Sequence, residues 1–164
     1  MSEVVTEVEG PYLCSITRVH NEHIKFKSFI RHQLREGFDR IVILDDRSEP
    51  SLEWDDPRVE IYPVNLPRVV SDASRKKGSF VFPTRAIHPF LRAFVDRRLI
   101  ECTWVANVDV DEFITTRRNE DRTTREELMA SFEAFEAVHV PWVMYGNELS
   151  PDVRIEGDVA SEVI

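Results

Sequence analysis

Apolar positions along the chain fall into short unbroken runs, and stretches of helical spacing lie between them. "YLCSITRV" (12–19) is an apolar, β-rich run, and "NEHIKFKSFIRHQLREG" follows it at once. In the second stretch Phe26, Phe29, Ile30 and Leu34 recur at i, i+3, i+4 and i+8, which is one helical face. Asn21 is available as N-cap and Gly37 as the residue that ends the helix. "RIVILDD" (40–46) is a continuous apolar run closing on acids, the habit of a strand buried on both faces of a parallel sheet. "VEIYPV" (59–64) reads as a weaker third strand, and residues 65–83, rich in Pro, Ser, Gly and Lys, as a loop. "AIHPFLRAFVDRRLI" places Ile87, Phe90, Leu91, Phe94 and Val95 on one helical face, with Pro89 at N1 or at a kink. "WVANVDV" (104–110) is the expected fourth strand. A capping box from Thr124 to Glu127 then opens a helix whose Leu128, Phe132 and Phe135 share one side, and "AVHVPWVMY" (137–145) reads as a fifth strand. Strands alternating with helices predict an α/β domain built on a mostly parallel sheet.

A chain of 164 residues suits one such domain, with its core at about 12–147 and a polar tail at 148–164. A domain of that size buries roughly 70% of its unfolded surface and needs no covalent staple. Cys14 and Cys102, each in an apolar run, are therefore expected as buried reduced thiols. The excess of 30 acids over 21 Lys and Arg gives a net charge of −9, which argues against a nucleic-acid partner. "MSEVVTEVEG" lacks the basic and apolar regions of a signal peptide, and no run is long enough to span a bilayer, so cytoplasmic is the default expectation.

The charge pattern becomes informative where it meets the strands. Asp45, Asp46, Asp109 and Asp111 all fall at strand carboxyl ends, the edge where open α/β sheets bind ligands. Along a strand Asp109 and Asp111 would point to one face while Val110 packs on the other. Two carboxylates so placed suit Mg²⁺ or Mn²⁺, which bind through one or two carboxylates and complete their shell with water and substrate phosphates. A bare D-x-D also describes a solvated turn. Its place at the end of an apolar run, ahead of Glu112 and Phe113, moves the reading toward a site.

Four segments, in order, carry a resemblance. "RVHNEHIKFKSFIRHQLREGFDRIVILDDRSEPS", "WVANVDVDEF" and "VPWVMYGN" resemble the glycosyltransferase family 2-like enzymes, most closely the group around glycosyltransferase family 92. The first of these holds two of the four segments, an Asn-Glu pair after a strand and an Asp-rich turn with Ser after the next. The resemblance covers about residues 12 to 147 and implies the GT-A fold, a Rossmann-like sheet with flanking helices. It further implies a glycosyltransferase that moves a sugar from a UDP- or GDP-sugar donor to a glycan, lipid or protein acceptor, with Mn²⁺ or Mg²⁺ at the D-x-D motif. By matching position, Asp46 would meet the nucleotide base, Asp109 the ribose or the metal's waters, and Asp111 the metal itself. Arg18 would line the nucleotide pocket, or pair with Glu22 on the surface. Arg85 would approach the diphosphate, or stand as a solvated arginine.

The family pattern continues past the Trp-Gly segment with acceptor-binding elements, a late His and a candidate base, so the chain resembles the donor-binding half. His139, inside an apolar run, is expected as a packed strand residue, and Glu148 as a loop carboxylate. Lys76 and Lys77 belong to a basic loop that either closes over phosphates or is simply solvated. Trp54 is expected to anchor a loop, and Trp104 and Trp142 to pack the core. Two other readings stand beside the transferase. One is a GT-A-like remnant that binds nucleotide or protein without turnover. The other is a haloacid dehalogenase-type phosphohydrolase, disfavoured by Phe113 where that chemistry asks for Thr or Val.

Overall fold

The structure is a computed structural model that describes residues 11–65, 92, 94–97, 99–116, 121–141 and 143. In chain order its elements are β1 (Leu13–Val19), α1 (His23–Arg35), β2 (Arg40–Asp45), β3 (Val59–Pro63), β4 (Trp104–Asn107) and α2 (Thr124–Ser131). The strands form one sheet in the order β3-β2-β1-β4, and every pairing is parallel. The α/β expectation is therefore met.

β1 and β2 are buried on both faces. Leu13, Val19, Ile41 and Ile43 turn one way, onto Phe26, Phe29 and Ile30 of α1. Cys14, Ile16, Val42 and Leu44 turn the other way, onto Leu99, Phe94 and Val95, the last two lying in the helical residues 94–97. Each large side chain sunk in this way contributes about 1.5–3 kcal/mol of transfer free energy. The helical spacing read from Phe26 to Leu34 is the spacing that α1 buries.

Gly37 ends α1 as its sequence position predicts. It sits at φ 83°, its N–H donates to Leu34 O (3.3 Å), and the Phe38 N–H donates to Gln33 O (3.1 Å). This pair of bonds is the Schellman arrangement. The start of the helix differs from expectation: the N-cap is Glu22, and Asn21, at φ 57°, lies outside the helix.

Three further expectations are corrected. The capping box is formed by Thr123 and Glu126, one residue earlier than expected, because the Thr124 N–H and hydroxyl both donate to Glu36 Oε2 (2.8 and 2.7 Å). α2 ends at Ser131, so Phe132 is its C-cap and Phe135 is exposed. Residues 137–141 and 143 are in no strand, and His139 is exposed rather than packed.

The two cysteines are also not free thiols. Cys14 and Cys102 form a disulfide across 88 residues of sequence. Strand β1 carries Cys14 to the face toward which the approach to β4 turns Cys102, so burial and pairing coincide. Among the described residues, no helix is long and apolar enough to cross a membrane. Arg85, Lys76, Lys77, Trp142 and Glu148 lie outside the described residues, as do 65–83 from residue 66 onward and most of the second expected helix.

Candidate functional site

Strand order locates the site before any side chain does. From β1 the chain steps to β2 and then β3 on one side, whereas β4 joins the opposite edge of β1. The order thus reverses between β1 and β4, and the carboxyl end of such a switch point is where open α/β sheets form a crevice. The acids of "NVDVDEF" follow β4 at that end.

Alternation along the strands selects which residues face the crevice together. Arg18 is paired in register with Leu44, and Ile16 with Asn107. Two residues beyond Leu44 and Asn107 stand Asp46 and Asp109, so Arg18, Asp46 and Asp109 continue the same face of the sheet. Arg18 is half-buried, Asp46 is completely buried and Asp109 is exposed. Glu22, the alternative partner considered for Arg18, forms an ion pair with Lys25 (3.2 Å).

The loop after β2 divides its two acids. Asp45 turns inward, where its Oδ1 accepts from the Ser48 N–H (2.9 Å) and its Oδ2 from the Leu52 N–H (3.3 Å). It therefore shapes the turn and does not join the rim. The backbone of Asp46 is held on both sides: its N–H donates to Val19 O (2.8 Å), and its carbonyl accepts from the His20 Nδ1–H (2.7 Å). Its carboxylate accepts from Arg47 Nε (3.0 Å).

Asn21 links the β1 and β2 loops. Its N–H donates to Ser48 Oγ (3.0 Å) while its Oδ1 accepts from the Glu49 N–H (2.8 Å). His23 adds a bond to the Pro50 carbonyl (2.7 Å). An open depression of about 520 Å³ is lined by Asn21, Glu22, His23, Ile24 and Lys25 beside these loops.

The D-x-D segment is a turn and not the extended strand anticipated. Pairing with β1 closes with the Val108 N–H on Ile16 O (3.3 Å). The next amide, Asp109 N–H, is taken by Glu112 Oε2 (2.8 Å), and the Glu112 N–H returns to Asp109 O (3.0 Å). Glu112 is thus the residue that closes the turn, which accounts for the third acid. Val110 is buried at 4% exposure and plugs the core on the α1 side, as expected. Asp111 is swung toward α1, where its Oδ2 accepts from Lys25 Nζ (3.0 Å). The same turn is tied further along α1. The Phe113 ring meets His32 edge-on at 5.1 Å, and the His32 Nε2–H donates to Ile114 O (2.7 Å).

Sequence reasoning missed Lys25 and His32 as supports of this turn. Both lie on α1, seven residues apart, so two helical turns bring them to one side. That spacing was present in the sequence, but the polar face of an amphipathic helix carries no mark of what it supports.

Among the described residues, no group of three His, Cys, Asp or Glu side chains comes together to hold a metal ion. The exposed carboxylates of Asp109 and Asp111 are hard oxygen donors two residues apart. Two carboxylates alone would leave a Mg²⁺ or Mn²⁺ ion to complete its shell with phosphate oxygens and water, and Asp111 is already paired with Lys25 on α1. Trp54 is half-buried against Phe26, edge-on at 6.1 Å, which makes it the loop anchor anticipated. Trp104 packs on the core and its Nε1–H donates to the Tyr12 hydroxyl (3.2 Å). Comparisons with protein-family profiles, with curated proteins and with solved structures returned no match.

Proposed function

We propose that the chain is a GT-A-type donor-binding domain of a glycosyltransferase, taking a nucleotide-diphosphate sugar and a divalent cation at the D-x-D turn. One observation carries the proposal: the acidic turn follows the strand at the sheet's switch point, with Arg18 and Asp46 continuing the same face. Acids at random along a chain of this composition have no reason to gather at that edge.

In this reading each group has a defined task. Asp46 accepts a hydrogen bond from a donor N–H on the base, which requires the exposed Arg47 to turn aside from its carboxylate. Arg18 lies beside it and offers positive charge to the nucleotide. Asp109 and Asp111 hold the cation, whose contribution when bound is to neutralise charge on the departing nucleoside diphosphate. Glu112 holds the turn and takes no part in ligation, because its carboxylate is committed to the Asp109 amide.

Calorimetric titration of UDP and GDP, with and without Mn²⁺, tests the reading beside Asp111→Ala. Metal-dependent nucleotide binding in the parent, weakened tenfold or more in the variant, supports it. Absence of binding by either nucleotide under both conditions removes it. Metal-dependent nucleotide binding without sugar transfer to any acceptor would instead favour a non-catalytic nucleotide-binding domain.

A further inference from the structure

The layer between β1 and α1 holds polar side chains among its apolar ones. Ser15 and Thr17 of the central strand are 0% and 1% exposed, and Gln33 of α1 is 0% exposed. Alternation turns Ser15 and Thr17 to the side of Leu13 and Val19, which cluster with Phe26, Phe29 and Ile30. Gln33 follows those three residues on the buried face of the helix, one turn beyond Phe29 and Ile30. The level along the strand agrees. The Asp39 N–H donates to Leu13 O (2.8 Å), so the chain leaving α1 lies beside the start of β1. Helical side chains lean toward the helix N-terminus, which carries the Gln33 amide from the level of Ser15 toward that of Thr17.

Among the described residues, neither hydroxyl and neither polar atom of the Gln33 amide has a hydrogen-bond partner. A fold of small net stability does not leave such a set buried and dry without a large loss. Side-chain size supplies room for a guest. Ala106 stands beside Ser15 in register and packs into the same layer, so two small residues adjoin where neighbouring positions carry Leu and Ile.

We infer that this pocket binds internal water, about one or two molecules that join Ser15, Thr17 and Gln33 between the central strand and α1. Water suits the set because it both donates and accepts. It accepts from the Gln33 Nε2–H and donates to Gln33 Oε1, and the hydroxyls take either role. An ion does not suit it, since the three side chains are neutral and would leave a buried charge unpaired. The pocket lies inside the sheet–helix layer, so it is independent of any ligand bound at the carboxyl edge.

The test uses nuclear magnetic resonance on the full chain. Oxygen-17 relaxation dispersion of the solvent counts long-lived internal waters and is blind to hydroxyl proton exchange, and a rotating-frame Overhauser contact from water to the Gln33 side-chain N–H₂ locates one. The parent is expected to show that contact. Gln33→Met puts an apolar chain of similar length in the same space and should remove about one or two waters from the dispersion. Its urea midpoint should be no higher than the parent's, whereas removing a dry, unpartnered amide would raise it clearly. Absence of the water contact in the parent, an unchanged dispersion in folded Gln33→Met, or a clear rise of its midpoint overturns the inference. If Gln33→Met does not fold, the contact in the parent decides.

Discussion

Asn21 shows how one residue can hold two loops. At φ 57° it occupies the left-handed region, where Asn is tolerated far better than most residues because its short polar side chain bonds locally. That conformation lets its N–H reach Ser48 while its side chain receives the Glu49 N–H. Asn21→Ala loses both the acceptor and the conformational ease, and is expected to cost about 1–2 kcal/mol in urea unfolding. Asn21→Gly keeps the conformation and loses only the acceptor, so it should fall between Ala and the parent. Equal stability of all three would show that the bridge contributes nothing. The Asn-Glu pair was legible as part of a resemblance, yet its job was not. A positive φ is a property of the folded backbone, and the composition around Asn21 equally suits an N-cap. Asp45 and Asp46 make the same point: adjacent identical residues point to opposite sides of a strand end, so one shapes the loop and its neighbour faces the site.

Among the elements, the long periodic segments were the legible ones, because burial on a fixed face repeats over several turns or pleats. β1, α1, β2 and β3 lie within two residues of their expected bounds. β4 was expected to run through Val110 and stops at Asn107, where the chain enters the turn closed between Asp109 and Glu112. α2 was misread by one residue for a comparable reason. "TTREE" satisfies the capping-box pattern in two registers, and only the distant Glu36 decides between them by claiming Thr124. Thr123→Ala should therefore destabilise the protein by about 1 kcal/mol, the usual value of a cap, as read by thermal or urea unfolding. The same contact region constrains Gly37, where an added Cβ would stand 2.9 Å from the Arg125 Cβ. Gly37→Ala meets both that clash and a positive φ, and should cost more than 1 kcal/mol. At the turn before β3, the Arg58 side chain, followed by the Arg58 amide, holds the Asp56 carboxyl down to about 2. A carboxyl lowered from an unfolded value of about 3.9 stabilises the fold fully above that value and loses its contribution as pH falls through about 2. The stability difference between the parent and Asp56→Asn should accordingly be constant above about pH 5 and shrink below pH 4. A difference that grows on acidification would contradict the ion pair.

At the scale of the whole molecule, the disulfide changes the physical picture more than any other departure from expectation. Hydrophobic burial was taken to suffice for a chain of this length, and two cysteines in apolar runs carry no sequence mark that separates buried thiols from a buried cystine. What distinguishes them is topology. β4 pairs with β1 although some ninety residues separate them, and this brings Cys102, just ahead of β4, beside Cys14. The cystine thus fastens the long excursion between β3 and β4 back to the central strand, on the face of the sheet that carries Arg18 at its carboxyl end. In the chain-entropy picture, closing a loop of 88 residues restricts the unfolded state by roughly 4–5 kcal/mol, a large share of the 5–15 kcal/mol that stabilises an ordinary domain. Reduction, or Cys14→Ser together with Cys102→Ser, should therefore lower the urea midpoint substantially while leaving β1, β2 and β3, which pair without the bond, folded in the native baseline. Non-reducing peptide mass spectrometry checks that the bond exists, and parallel unfolding with and without dithiothreitol measures what it contributes. If the cysteines are alkylated quantitatively without reductant, or if reduction leaves the midpoint unchanged, the staple is dispensable, and apolar burial alone fixes β4 at the switch point.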